Sequence, residues 1–354
     1  MSLENLRVKI DEIDDKLVDL LNDRAKLSVE VGKQKASANS TRYFAPERER
    51  DLIERLLKSH TGPLPKEALV AIYREIISAS IALQKPITVT YFGPAGNFTE
   101  IASKQRFGSS ASFYDSDTIA DVFHEVEKGN ADFGVVPVEN STDGVVTYTL
   151  DMFNESVVKI NAEVYLGIEQ HLLSPAKSLS DVKRLYTFSQ PLGQCRHWVD
   201  THLPGVEIVE VVGTVHGALR AASDPEGAAI ASKTASELHN IPVLVERIED
   251  NPQNRTRFLV IGRTESPVTG RDKTSILLAV RNEPGSLSRA LRTFEKHNVN
   301  LSMIASRPTK NVAWEYVQFI DFQGHTHDKP VAAALKELRE HAIYVTVLGS
   351  YPEG

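Results

Sequence analysis

The chain carries a single cysteine, Cys195, among its 354 residues. No intrachain disulfide can form, and a reducing, cytoplasmic setting is expected. It has no apolar run approaching bilayer-spanning length and no secretory apolar segment at its start. Basic residues do not dominate: 40 Lys and Arg stand against 47 Asp and Glu, a formal net charge of -7. No basic run is interleaved with aromatics, which argues against a nucleic-acid surface. No His or Cys pair has metal-ligand spacing; His325 and His327 sit in a polar turn and are expected to be solvated rather than metal-bound. There is no internal repeat.

What is present is an ordinary globular composition, 41% apolar and 25% charged, long enough for two to three compact domains. Residues 1–85 read as all helical. A long helix runs from about Ser2 to Ala36, Pro46 opens a second that ends near Ser59, and Pro65 opens a third that reaches Gln84. At Pro86 the period changes from helical to alternating. From 87 to 265 apolar runs (ITVTYFG, DFGVVPV, VVKINAEVYLGIEQHLL, LYTFS, IVEVV, AAIAS, FLVIG) alternate with helical segments, an α/β pattern. A two-lobed, periplasmic-binding-protein-like domain with a ligand cleft is expected there. Residues 273–354 read βαββαβ, a small α+β ferredoxin-like module.

The first helix carries an electrostatic problem. Its apolar stripe (Leu3, Ile10, Leu17, Leu21, Val31) includes Arg7, Arg24 and Lys35 at core-type spacings, and a cation on a desolvated face is unfavourable unless something anionic meets it. Solvation, or pairing with Asp14 or Glu30, would account for any one of them. Three on one stripe favour an anionic ligand. Arg24 and Lys35, eleven residues apart, return to the same face roughly 16 Å apart, so two long side chains could close on one small dianion. Arg7 lies about 25 Å further towards the N-terminus. It can share that pocket only if a second copy of the chain supplies it, as in an antiparallel, interleaved dimer.

Ser80 and Gln84 stand one turn apart in the third helix, and Arg48 and Glu49 begin a RERD run in the second. Together with Arg7, Arg24 and Lys35, these positions resemble the all-helical class of chorismate mutases over residues 1–85. The resemblance implies an interlocked dimer in which the partner's Arg7, Arg24 and Arg48 organise the two carboxylates of chorismate. It implies further that Lys35 and Gln84 donate to the breaking ether oxygen, that Glu49 holds the ring hydroxyl, and that Ser80 is a minor contact. The rearrangement has no covalent step, so catalysis must come from holding a compact conformer and stabilising charge on that oxygen. Ala45 stands where relatives often carry an acid, which thins hydroxyl recognition unless Glu47 compensates.

In the α/β region, GPAGNFTE opens a helix with Asn97 and Glu100 spaced as a capping pair. DFGVVPVENSTDG ends a buried strand in Glu139, Asn140, Ser141 and Thr142, where α/β folds place ligand contacts. TFSQPLGQC offers Thr187, Gln190 and Gln194, and NRTRF sets Asn254, Thr256 and Arg257 before the last strand. In this order they resemble prephenate dehydratases across 87–265. The resemblance implies loss of carboxylate and hydroxide together from a water-excluding site, with Thr256 central as a positioned donor and Glu139 an alternative proton source if burial raises its pKa. Asn140, Ser141, Thr187, Gln190, Gln194 and Thr214 would line the pocket, and Arg257 would bind a carboxylate or bridge the lobes. Two departures stand out: Thr214-Val215-His216 replaces the usual Thr-Ser pair, and Phe188 replaces a histidine.

NEPGSLSRAL and IASRP resemble the amino-acid-sensing ACT module of dehydratases. That implies phenylalanine bound at a dimer interface by Glu283, Pro284, Gly285, Ser286 and Leu287, with Ser306 and Arg307 opposite; Ala305 replaces the usual acid. A capped helix alone would also explain Gly285 and Ser286. The leading expectation is a bifunctional enzyme turning chorismate into prephenate and then phenylpyruvate, homodimeric or larger, with phenylalanine feedback and no cofactor. The alternatives are a non-catalytic amino-acid sensor and an arogenate dehydratase.

Overall fold

The computed structural model describes residues 2–38, 43–308 and 316–354. Two compact units are present: residues through Thr88 together with Arg106–Ser112, and the remainder of the chain.

The first unit is built on α1 (Leu3–Ser37), α2 (Pro46–Ser59) and α3 (Lys66–Gln84). Ser2 caps α1 by accepting from the Asn5 N–H. Gly32 is the one buried residue of α1, because α3 passes so close that a Cβ there would lie 2.9 Å from Gln84 Cα. The segment 106–112 also belongs to this unit. Phe107 packs on Phe44 with ring centroids 4.9 Å apart, and the Ser110 N–H donates to Ser78.

In the second unit, β1 (Thr88–Phe92), α4 (Phe98–Phe107), β2 (Ser112–Ser116), α5 (Ile119–Lys128), β3 (Phe133–Asn140), β4 (Gly144–Val145), α6 (Thr147–Glu155) and β5 (Lys159–Gly167) form the first lobe. The second lobe holds β6 (His171–Leu173), β7 (Arg184–Thr187), α7 (Ser189–Gln194), α8 (Arg196–His202), β8 (Glu207–Glu210), α9 (Thr214–Ala222), β9 (Gly227–Ala231), α10 (Lys233–His239) and β10 (Val243–Val245). The chain then returns to the first lobe as β11 (Arg255–Gly262). The sheets run β2-β1-β3-β11-β5, with β4 on β3, and β10-β6-β9-β7-β8. The apolar run around 157–173 is therefore split: β5 and β6 belong to different sheets, and Ile168–Gln170 is one of the two crossings.

The last domain is β12 (Asp272–Ala279), α11 (Ser286–Lys296), β13 (Leu301–Pro308), β14 (Tyr316–Gln323), α12 (Lys329–His341) and β15 (Tyr344–Pro352), the βαββαβ order expected, with sheet order β13-β14-β12-β15. One face of this sheet packs beneath α11 and α12 around Phe294, Ile320 and Phe322. The other joins the first lobe in a shared core of Val138, Leu150, Phe153, Leu277, Phe319 and Leu348. A side chain at Gly349 would collide with the Ile160 backbone, so this glycine lets β15 lie directly against β5. His325 departs from expectation. It is buried, its Nε2 lies 3.1 Å from the Ser266 carbonyl, and its Nδ1 accepts from the His327 N–H, so it fastens the turn to the segment preceding β12 instead of meeting solvent.

Candidate functional sites

In the helical unit, α1 and α3 bring four of the expected residues together. The Arg24 guanidinium donates to the Ser80 hydroxyl and to the Ile76 carbonyl at 3.4 Å. Lys35 Nζ donates to Gln84 Oε1 at 3.0 Å and lies 5.4 Å over the Tyr43 ring. Burial, and the nearby Arg48 charge working against Tyr73, hold Arg24 below its ordinary pKa. Cations gathered so closely favour an anionic occupant. Arg7 lies elsewhere: the unbroken α1 keeps it about 25 Å from Arg24, largely exposed and 3.9 Å from Glu4. Glu49 is turned to Arg106, with which it forms a 2.7 Å ion pair between two mostly buried side chains. It is thus paired within the helical unit, a contact the local sequence pattern does not show. Ala45 provides no side-chain cap to α2.

In the α/β domain a cavity of about 650 Å³ lies between the lobes, within the range of small-ligand sites. Its floor is a hydrogen-bonded pair drawn from two of the motifs: Asn140 Nδ2 donates to Thr256 Oγ1 and to Asn254 Oδ1, each at 2.9 Å. Register explains the meeting, since Asn140 and Thr256 are directly paired between β3 and β11. Asn140 Oδ1 accepts the N–H groups of Thr142 and Asp143 at 2.8 and 3.0 Å, fixing its amide orientation.

From the second lobe, Gln190, Gln194 and Thr214 line the cavity. Gln190 and Gln194 both donate to Asp143 Oδ2, at 3.0 and 2.7 Å, and Gln170 donates to Gln194 Oε1 at 2.9 Å. The carboxylate of the first lobe thereby orients a chain of amides in the second. Asp143 and Gln170, together with the lining residues Asp115 and Asp117, escaped the motif reading; the DG of ENSTDG was the available signal for Asp143. The turn before α4 behaves as its spacing implied. Asn97 Oδ1 accepts from the Glu100 N–H at 2.8 Å, and Glu100 accepts from the Gly96 N–H at 2.6 Å.

Among the described residues no lysine or arginine lines this cavity, and His216 is the one basic side chain that does. The first turns of α4 and α9, which also line it, present backbone N–H donors to an anion.

Four expected residues fall outside the lining. Thr187 is buried behind Phe188, its hydroxyl 3.5 Å from the Phe188 carbonyl. Ser141 accepts the Arg255 N–H at 3.0 Å. Glu139 and Arg257 face the rear of the sheet, because strand side chains alternate and their neighbours Asn140 and Thr256 take the front. Glu139 approaches Arg257 at 4.0 Å. Arg257 neither lines the cleft nor bridges the lobes: it is paired with Glu163 and with Asp321 of the last domain.

In the last domain Gly285 adopts φ +80° before α11, a conformation glycine reaches without strain. Arg289 donates to the Pro284 carbonyl and to Ser286 Oγ. Ser306 donates to Gln318, and Arg307 makes a two-pronged pair with Asp151 of α6 at 2.9 and 3.0 Å. In a single chain β14 lies between β13 and β12. Ser306–Arg307 are thus separated by a whole strand from β12, which leads into the 283–287 turn.

Comparison with known proteins agrees with this architecture. Three family profiles match in order: chorismate mutase type II over residues 6–85, prephenate dehydratase over 89–266 and ACT domain over 274–340. The bifunctional chorismate mutase/prephenate dehydratase of Aquifex aeolicus is 47% identical over 355 residues, covering 99% of this chain and 98% of its own. That of Escherichia coli K12 is 32% identical, covering 98% and 95%. The crystal structure of the Arthrobacter aurescens prephenate dehydratase in complex with L-Phe superimposes with a TM-score of 0.71 at 36% identity, covering 75% of this chain and 90% of that one. The chain belongs to the family of bifunctional chorismate mutase/prephenate dehydratases.

Proposed function

We propose that the helical unit rearranges chorismate to prephenate, and that the interlobe cleft converts prephenate to phenylpyruvate with loss of carbon dioxide and the ring hydroxyl as water. The observation that carries this reading is the near-full-length match to a bifunctional relative at 47% identity, with the Arg24–Ser80, Lys35–Gln84 and Asn140–Thr256 pairs all formed.

In the mutase site, Arg24 and Arg48 bind the carboxylates, while Lys35 and Gln84 stabilise charge on the ether oxygen as its bond breaks. Arg7 comes from a second copy. Support comes from the reach of α1 and from its unburied apolar face: Leu3, Ile10, Leu17 and Leu20 are 66%, 56%, 50% and 66% exposed, more apolar surface than a free helix keeps in water. In the dehydratase site Thr256, held by Asn140, donates to the departing hydroxyl, and the amides of Gln190 and Gln194 exchange Asp143 for a substrate carboxylate. The α4 and α9 N-termini replace cationic side chains at the other anionic group. Phenylalanine is the effector, bound where the 283–287 turn of one copy approaches Ser306–Arg307 of another; a relative's complex with L-Phe supports this. Operation in the cytoplasm fits the buried, unpaired Cys195.

The test is to follow both steps on the full chain, supplying chorismate, prephenate and arogenate in turn, with and without phenylalanine. Phenylpyruvate formed from prephenate, with arogenate a weak competitor, is the expected result. Preferential turnover of arogenate would reassign the second site, and failure to form either product would remove the reading.

A further inference from the structure

Thr256 and Arg257 are adjacent on β11 and face opposite ways. In front, the Thr256 hydroxyl accepts from Asn140 in the cleft. Behind, the almost wholly buried Arg257 donates through Nε to Glu163 Oε2 at 2.7 Å, through Nη1 to Asp321 Oδ2 at 2.5 Å, and through Nη2 to Tyr351 Oη at 2.9 Å. Glu163 is on β5 of the dehydratase domain; Asp321 and Tyr351 are on β14 and β15 of the last domain. The cluster is closed by Lys273, which donates to both Glu163 oxygens at 2.8 Å, and by Ser275, within 2.5 Å of Asp321 and 2.6 Å of Tyr351 Oη. Two buried cations, Arg257 and Lys273, meet two buried anions, Glu163 and Asp321, in one island, with the partly exposed Glu139 4.0 Å from Arg257 at the edge. Separating any one would leave an uncompensated charge, so the island moves as a unit.

Two further features give this island a consequence at the cleft. The β3–β11 ladder carries a bulge here: Arg257 faces Glu139 and Phe258 faces Pro137, so Val138 of β3 is left over, and β3, which carries Asn140, can change its local twist against β11 and Thr256. Moreover, Arg257 Nη1 lies 3.6 Å from Met303 Sδ, and Met303 pairs with Asp321 across β13 and β14. Ser306 and Arg307 lie on the same β13. Contacts are therefore continuous from the effector segment to the guanidinium, and from there through one peptide unit to the Thr256 hydroxyl.

We propose that Arg257 is a positioning residue for Thr256: Asp321 and Tyr351 of the C-terminal domain hold its guanidinium and thereby set the strand rotation that aims the Thr256 hydroxyl into the cleft. A shift of β13 and β14 on effector binding turns that rotation and slows dehydration. This second clause rests on the reading of phenylalanine as effector; the first does not.

The test uses the full chain with Tyr351→Phe and Asp321→Asn, mutase activity serving as the internal check of folding. For Asp321→Asn the expected result is a dehydratase kcat about tenfold lower with KM within about twofold of the parent, as for a displaced rather than a missing contact. For the milder Tyr351→Phe, calorimetric phenylalanine affinity should stay within about twofold while inhibition at saturation weakens at least about fivefold, the low end of ordinary coupling. A cluster that merely glued the domains would lower thermal stability and leave kcat and inhibition alone. That outcome overturns the proposal, as does a change in KM without one in kcat. If Asp321→Asn does not fold, Tyr351→Phe decides by the same two readouts. If the parent protein binds no phenylalanine, the effector reading fails by itself and the kcat comparison still judges Arg257.

Discussion

A threonine hydroxyl is a poor acid, so what Thr256 can contribute depends on what aims it. Here Asn140 donates to its oxygen, which leaves the Thr256 proton for another acceptor, the departing hydroxyl of the substrate. Thr256→Ala should lower dehydratase kcat by about 10²–10³-fold, the usual cost of one preorganised donor, with chorismate rearrangement unchanged. Thr256→Ser should recover most of the loss. A spectrophotometric phenylpyruvate assay distinguishes these, and near-parental turnover by the alanine variant would contradict the role. Glu163, behind the same strand, makes a prediction about pH. Burial would raise its pKa, but Arg257, Lys273 and the Gly354 N–H outweigh that and hold it below the ordinary value. A depressed folded pKa contributes stability that is complete above the unfolded value of about 4.3 and is lost as pH falls through the folded one. Melting temperature should therefore drop as the solution is acidified below about pH 4. The drop should be shallower in Glu163→Gln, and parallel melting curves for the two proteins would refute it.

At the scale of elements, the period of the apolar residues made the three helices, the α/β alternation and the βαββαβ module legible. Motif reading found Asn140, Gln194 and Thr256 because they sit at strand and helix ends that face a cleft. It grouped Glu139 with Asn140 and Arg257 with Thr256, whereas alternation sends each pair to opposite faces, and the register shift at Phe258 is invisible in the chain. The Glu49–Arg106 ion pair was not legible for a different reason: the two residues are 57 positions apart, beyond any local pattern. Asp143 and Gln170 act only through contacts between lobes. Two helix contacts can be tested directly. Gly32→Ala places a methyl 2.9 Å from Gln84 Cα, so α1 must move off α3 and carry Lys35 from Gln84. Mutase activity should fall at least about tenfold while dehydration continues, and an unaffected mutase would show that the helices absorb the methyl. Ala45→Asp supplies the missing α2 N-cap and should add about 1 kcal/mol to the stability of the helical unit, measured by denaturant unfolding of the full chain.

On the scale of the whole molecule, the proposed mutase site lies beyond the reach of its own chain's Arg7. The continuous α1 separates Arg7 from Arg24 by about 25 Å, and its apolar side is exposed in the single chain; the second copy proposed above would answer both. If the mutase site takes Arg24 from one chain and Arg7 from another, Arg7→Ala and Arg24→Ala should each be nearly inactive as mutases while remaining active dehydratases. Mixed after denaturation and refolding, or co-expressed, the two inactive variants should regain activity. A mixed dimer has one site with both arginines and one with neither, and random pairing makes about half of the dimers mixed, so about a quarter of the parental mutase activity should return. The dehydratase rate, measured in the same samples, corrects for recovery of folded protein. Absence of complementation in dimers shown to be mixed would mean that each chain completes its own site, and the reach of α1 would need another explanation.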